Sequence, residues 1–109
     1  MARYMIQGSY APEAWAGLVK SPEDRTGVVR AAIEKLGGKL EVLYYTFGAD
    51  DYVLIAETPS NVQAAAVSIA VGSTGRYRNL RTTPVMTPAE LVEALKEAGK
   101  VGDFRAAGT

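Results

Sequence analysis

The stretch Leu40–Glu57, LEVLYYTFGADDYVLIAE, constrains this chain more than any other. Two runs of β-branched and aromatic residues flank Gly48-Ala49-Asp50-Asp51, which is the pattern of a β-hairpin. Gly48 is free to take a positive φ, and Asp50 and Asp51 are placed to bond their own backbone in the turn. Pairing Phe47 with Tyr52 sets Tyr45 opposite Leu54 and Leu43 opposite Ala56 on one face of the sheet. Val42, Tyr44, Thr46, Val53 and Ile55 then occupy the other face. An antiparallel sheet with one solvated face alternates apolar and polar residues. This hairpin is apolar on both faces, so both need covering.

The flanking segments define the rest of the sheet and its cover. Ala2–Ser9 alternates Tyr4, Ile6 and Gly8 with Arg3, Met5 and Gln7, a strand in which Gly8 marks a bulge or a close backbone approach. Pro12 opens a short helix with Trp15, Leu18 and Val19 on one face. Ser21, Pro22 and Asp24 read as N-cap, first-turn proline and capping box of a second helix. That helix turns Val29, Ala32, Ile33 and Leu36 toward a core, and Gly37-Gly38 ends it in a left-handed cap.

Beyond the hairpin, Pro59 stops strand pairing, and Ser60 with Gln63 caps a helix over Asn61–Val71. Val62, Ala65, Ala66 and Ile69 are expected on its packed face. Arg76–Val85 is the most polar strand, and its arginines and Pro84 suit a sheet edge. Thr87-Pro88-Ala89-Glu90 combines N-cap, proline and capping box before a last helix striped by Leu91, Ala94 and Leu95. Lys100–Thr109 has no periodicity, and Phe104 is its one large apolar group.

Strand, helix, strand, strand, helix, strand, helix predicts an α+β ferredoxin-like βαββαβ fold. It has a four-stranded antiparallel sheet and an extra C-terminal helix. Right-handed crossovers place both main helices on one face of the sheet. The other face, apolar in the hairpin, is left bare, and an exposed patch of that kind marks an interaction surface. The expected occupant is a second copy packed sheet against sheet about a two-fold axis.

The 109 residues make one domain, read as 1–98 with a tail over 99–109. The chain has no cysteine and no histidine, which excludes disulfides and thiolate chemistry and removes the commonest general base and metal ligand. No metal or cofactor is expected. Twelve basic and twelve acidic residues balance, so no net field favours nucleic acid or an acidic membrane. The N-terminus lacks the apolar stretch of a signal peptide and no segment reads as a membrane span, so a soluble cytoplasmic protein is expected.

Several side chains have a chemical reading beside a structural one. Asp50 and Asp51 pair carboxylates for a base or a metal, or serve as turn formers. Tyr45 and Tyr52 offer phenolic donors to a pocket, or pack in the sheet. Trp15 is a ligand platform, or an anchor of the core or an interface. Lys20 and Arg25 flank the start of the second helix, where free N–H groups favour an anion. With Arg3 or Arg76 they could clamp a carboxylate or phosphate, or remain solvated. Arg76, Arg78 and Arg81 form a basic stripe without the interleaved aromatics of an RNA-binding strand.

The hairpin FGADDYVLIAETPSN, the following AAAVSIAVGSTGRYRNLRTTPVMTPAE, the N-terminal RYMIQGSY and the SPEDR…AIEKLGG segment together resemble the GYD domain family, from about Arg3 to Ala98. Gly48 and Asp51 match its Gly-x-Tyr-Asp turn, with Asp50 at the place of the tyrosine. The resemblance implies a dimeric α/β-barrel type of assembly from ferredoxin-like chains, in a family of small bacterial proteins of unknown function. Relatives by fold include cofactor-free monooxygenases, isomerases and decarboxylases with pockets between sheet and helices. The reading is a small-molecule-binding or accessory homo-oligomer. The alternatives are an assembly module without a ligand and a cofactor-independent enzyme. The enzyme would use Asp51 as base, Tyr45 or Tyr52 as donor, and Lys20 or Arg25 as anion clamp.

Overall fold

The computed structural model describes all residues, Met1–Thr109. Its elements run β1 (Ala2–Tyr10), α1 (Pro12–Lys20), α2 (Thr26–Lys35), β2 (Lys39–Tyr45), β3 (Tyr52–Thr58), α3 (Asn61–Gly72), β4 (Tyr77–Val85) and α4 (Pro88–Gly99). The four strands form one antiparallel sheet in the order β2-β3-β1-β4, the ferredoxin-like arrangement, with β4 at an edge. Helices α2 and α3 cover one face of it. Ile6, Ile33, Leu40, Leu54, Ala56 and Val67 form the buried core between the layers. No helix is long and apolar enough to cross a membrane.

Two glycines permit this packing. A Cβ on Gly38 would lie 2.5 Å from the Glu57 carbonyl oxygen and 2.8 Å from Ile33 Cγ2. One on Gly8 would lie 2.5 Å from the Tyr52 hydroxyl. Gly8 also marks a register shift in the β1–β4 pairing, opposite Asn79 at a φ of 54°. The expected bulge is present.

Four local expectations are corrected. The hairpin register is Tyr45 opposite Tyr52 and Leu43 opposite Leu54, two residues from the expected pairing, with a further bulge between Leu40 and Val42. The loop is longer because Thr46 closes it: its N–H donates to the Asp51 carbonyl at 2.7 Å and its hydroxyl to the Asp50 carbonyl at 2.5 Å. Phe47 therefore leaves the sheet for the fully exposed loop tip, and Gly48 does not use a positive φ. Helix α2 starts at Thr26 rather than after Ser21, because the Asp24 carboxylate accepts from the Thr26 N–H at 2.9 Å. Helix α3 buries Ala64 and Val67 and exposes Val62 and Ile69. Its residues are apolar on every side, so spacing alone selects no face.

The other sheet face is bare. Met5, Val42, Tyr44, Val53 and Ile55 lie there without a covering layer, and Tyr44 is 66% exposed. Charged groups edge the patch. At one end Arg3 bridges Glu41 at 3.0 Å and Glu57 at 2.9 Å. At the other, Arg81 pairs with Asp50. Helix α4 carries the expected capping box between Thr87 and Glu90, yet Leu91, Val92 and Leu95 all remain exposed, as does Phe104 in the tail.

Candidate functional site

The covered face holds an apolar slot of about 110 Å³ between the sheet and the two helices. Val29, Ala32 and Ile33 of α2 form one wall and Val67 and Val71 of α3 the other. Ile6, Leu43, Leu54 and Leu80 form the floor. Only two lining residues are neither aliphatic nor aromatic. Ser68 is satisfied by a 2.5 Å hydrogen bond with Thr82, and Arg25 is the sole charged group.

Tyrosines close one end. The Tyr10 ring lies at the centre of an aromatic cluster, edge-on to Trp15 at 5.0 Å, 5.3 Å from Tyr77 and 5.5 Å from Tyr52. Its hydroxyl shares a 3.2 Å hydrogen bond with that of Tyr45. Burial, then this hydrogen bond, pushes the Tyr10 phenol above its ordinary pKa. Burial, then the nearby Tyr77, Asp50 and Asp51, does the same to Tyr52. Both phenols are therefore neutral at physiological pH and do not act as bases. The Tyr52 hydroxyl is buried against Gly8 with no hydrogen-bond partner. Such a group costs stability unless function or later contacts repay it.

Beside the slot is a larger, open, polar cleft of about 490 Å³ between the end of α1, the α1–α2 connection and the α3–β4 loop. Arg25, Glu23 and Arg76 line it. Arg25 is held by Glu23, 2.9 Å away, which favours its charged form against the opposing effect of burial. Arg76 makes no ion pair.

The sequence candidates therefore divide. Arg25, Tyr45 and Tyr52 line the slot, and Arg25 and Arg76 share the cleft. Asp51 lines neither. Its carboxylate accepts from the Tyr10 N–H at 2.9 Å and from Trp15 Nε1 at 3.3 Å, and its own N–H donates to the Gly8 carbonyl at 2.8 Å. It fastens the end of β1 and helix α1 to the hairpin instead of serving only its own turn. Asp50 turns to Arg81 on the bare face. Trp15 packs on Tyr10 outside the slot, and Lys20 is exposed at the end of α1. Arg3 belongs to the bare face, and Arg78 lies opposite Ser9 on the edge strand. The N-terminal N–H of α2 that was a candidate anion site is taken by Asp24. No three acidic side chains group to hold a metal ion.

Tyr10 and Tyr77, the gate residues of both cavities, carried no signal in the sequence beyond their aromatic character. Only the β1–β4 pairing, which sets Tyr10 against Tyr77, brings them together.

No curated protein matches the chain. The family model described as GYD domain matches residues 4–95, from the first strand through most of the last helix. The chain belongs to the GYD domain family.

Proposed function

We propose that this protein is a small-molecule-binding homodimer, with the ligand in the slot of the covered face and a second copy on the bare face. The slot carries the reading. It is a preformed apolar cavity with one charged group at its mouth, the usual composition of a small-molecule site. A pure assembly module has no use for such a cavity. A cofactor-independent enzyme is the alternative. The engagement of Asp51 by the Tyr10 N–H and Trp15 favours binding over proton abstraction by that carboxylate.

The size of the exposed surface supports the second copy. A compact monomer of this mass exposes roughly 5,800 Å², whereas this chain exposes 7609 Å². A compact chain of this length has a radius of gyration of about 13 Å, against 17.6 Å here. A standard interface removes about 800 Å² from each partner, so the excess has room for one such contact beside the exposed α4 and tail. The apolar centre and charged edge of the bare sheet face match the anatomy of an interface.

Toluene, a neutral apolar probe, tests the slot. Saturation is expected to shift the amide resonances of Val29, Ile33 and Leu43 and to raise the melting temperature. At a hundred times Kd the gain is about 2.7 kcal/mol. Unchanged resonances at those positions would remove the small-molecule reading.

A further inference from the structure

The slot and the polar cleft share a wall, because Tyr10, Arg25 and Tyr77 line both. We propose that the two cavities form one site for a small amphipathic monocarboxylate, its carboxylate between Arg25 and Arg76 and its apolar tail in the slot. The proposal rests on the reading of the slot as a small-molecule site and adds the class of ligand.

Charge sets the head group. Arg25 is matched by Glu23, while Arg76 has neither an ion pair nor a side-chain hydrogen bond. The cleft therefore has one positive charge to spare, which suits a monoanion. Guanidinium groups bind a carboxylate through paired N–H donors, and two converging arginines hold it more tightly than either alone.

Size and polarity set the tail. Apolar cavities of roughly 150 Å³ take up benzene, so a slot of about 110 Å³ that opens at one end accepts a single ring or a short branched chain. Beyond Arg25 the slot has no charged group, so a second charge on the tail would be buried without a partner. Polarity therefore orients the ligand: charge outside, hydrocarbon inside, with the tyrosine ring faces between.

Titration of the full chain with phenylacetate, phenylacetamide and toluene, followed by backbone-amide shifts, tests this. Phenylacetate is expected to move Arg25, Arg76, Tyr77 and Val29 together. It should bind about ten-fold more tightly than its amide, the size of one charge-assisted hydrogen bond. Arg76→Gln should abolish most of that preference and leave toluene binding unchanged. Equal binding of acid and amide, or a preference that survives both Arg76→Gln and Arg25→Gln, overturns the carboxylate assignment while the toluene response preserves the slot. Silence of the slot toward all three probes overturns both.

Discussion

The two faces of the sheet are built from the same strands and use the same alternation, yet they end in different states. On one, Ile6, Leu54 and Ala56 meet Ile33 and Val67 across a packed layer that leaves a narrow slot. On the other, Met5, Val53 and Ile55 face outward with no layer above them. Helix connections between strands supply cover to one side only, because both crossovers have the same hand. The covered side thus acquires an interior with an apolar slot in it. The bare side acquires a surface, whose apolar residues no other part of the chain covers.

Substitutions separate the two faces. Ile33 is 1% exposed at the centre of the covered layer. Ile33→Ala should cost about 3 kcal/mol in urea unfolding, through lost burial and the cavity left behind. Ile55→Arg should leave the fold of each chain intact and weaken self-association about a hundredfold or more, read by sedimentation equilibrium. A folded variant that still associates as the wild type does would show that the bare face is not the contact between copies.

Asp51 fastens the end of β1 and helix α1 to the hairpin. Asp51→Ala strips the Tyr10 N–H of its acceptor and should cost about 2 kcal/mol. Asp51→Asn, which keeps an acceptor, should recover most of this and bind toluene as the wild type does. Tyr52→Phe has the opposite sign. It removes a buried hydroxyl without a partner, so stability should hold or rise by up to about 1 kcal/mol.

The smallest effect concerns the arm beyond the sheet. Hydrogen bonds from Thr87, the backbone first, hold the Glu90 carboxyl below its ordinary pKa. A depressed folded-state value means that its support for α4 is fully present above the unfolded value of about 4.3. That support is lost as pH falls through the lower folded value. The protection factor of the Leu91 amide, its exchange corrected for the intrinsic pH dependence, should therefore fall on acidification in the wild type, with a weaker pH dependence in Glu90→Gln.

The order of elements was legible because it is written in local chemistry. Pro12, Gly37, Ser60 and the Thr87 capping box act where they stand and need no partner from elsewhere in the chain. Register and packing were less legible because they depend on competition. Thr46 and Asp51 close a longer loop than Gly48 suggested, and Asp24 outcompetes Ser21 for the start of α2. The helix Asn61–Gly72 has no polar side to exclude a face. The site was legible only in part. Arg25 and Arg76 stood out by charge, but the cleft both line forms where the α1–α2 connection meets the α3–β4 loop, which no local signal specifies.

The division between the faces is tested most directly by titrating toluene into Ile55→Arg and following the slot amides. If one face serves the ligand and the other the second copy, this chain is monomeric and Val29, Ile33 and Leu43 respond with wild-type affinity. A folded monomer whose slot no longer binds would contradict the division and make the ligand site a property of the pair.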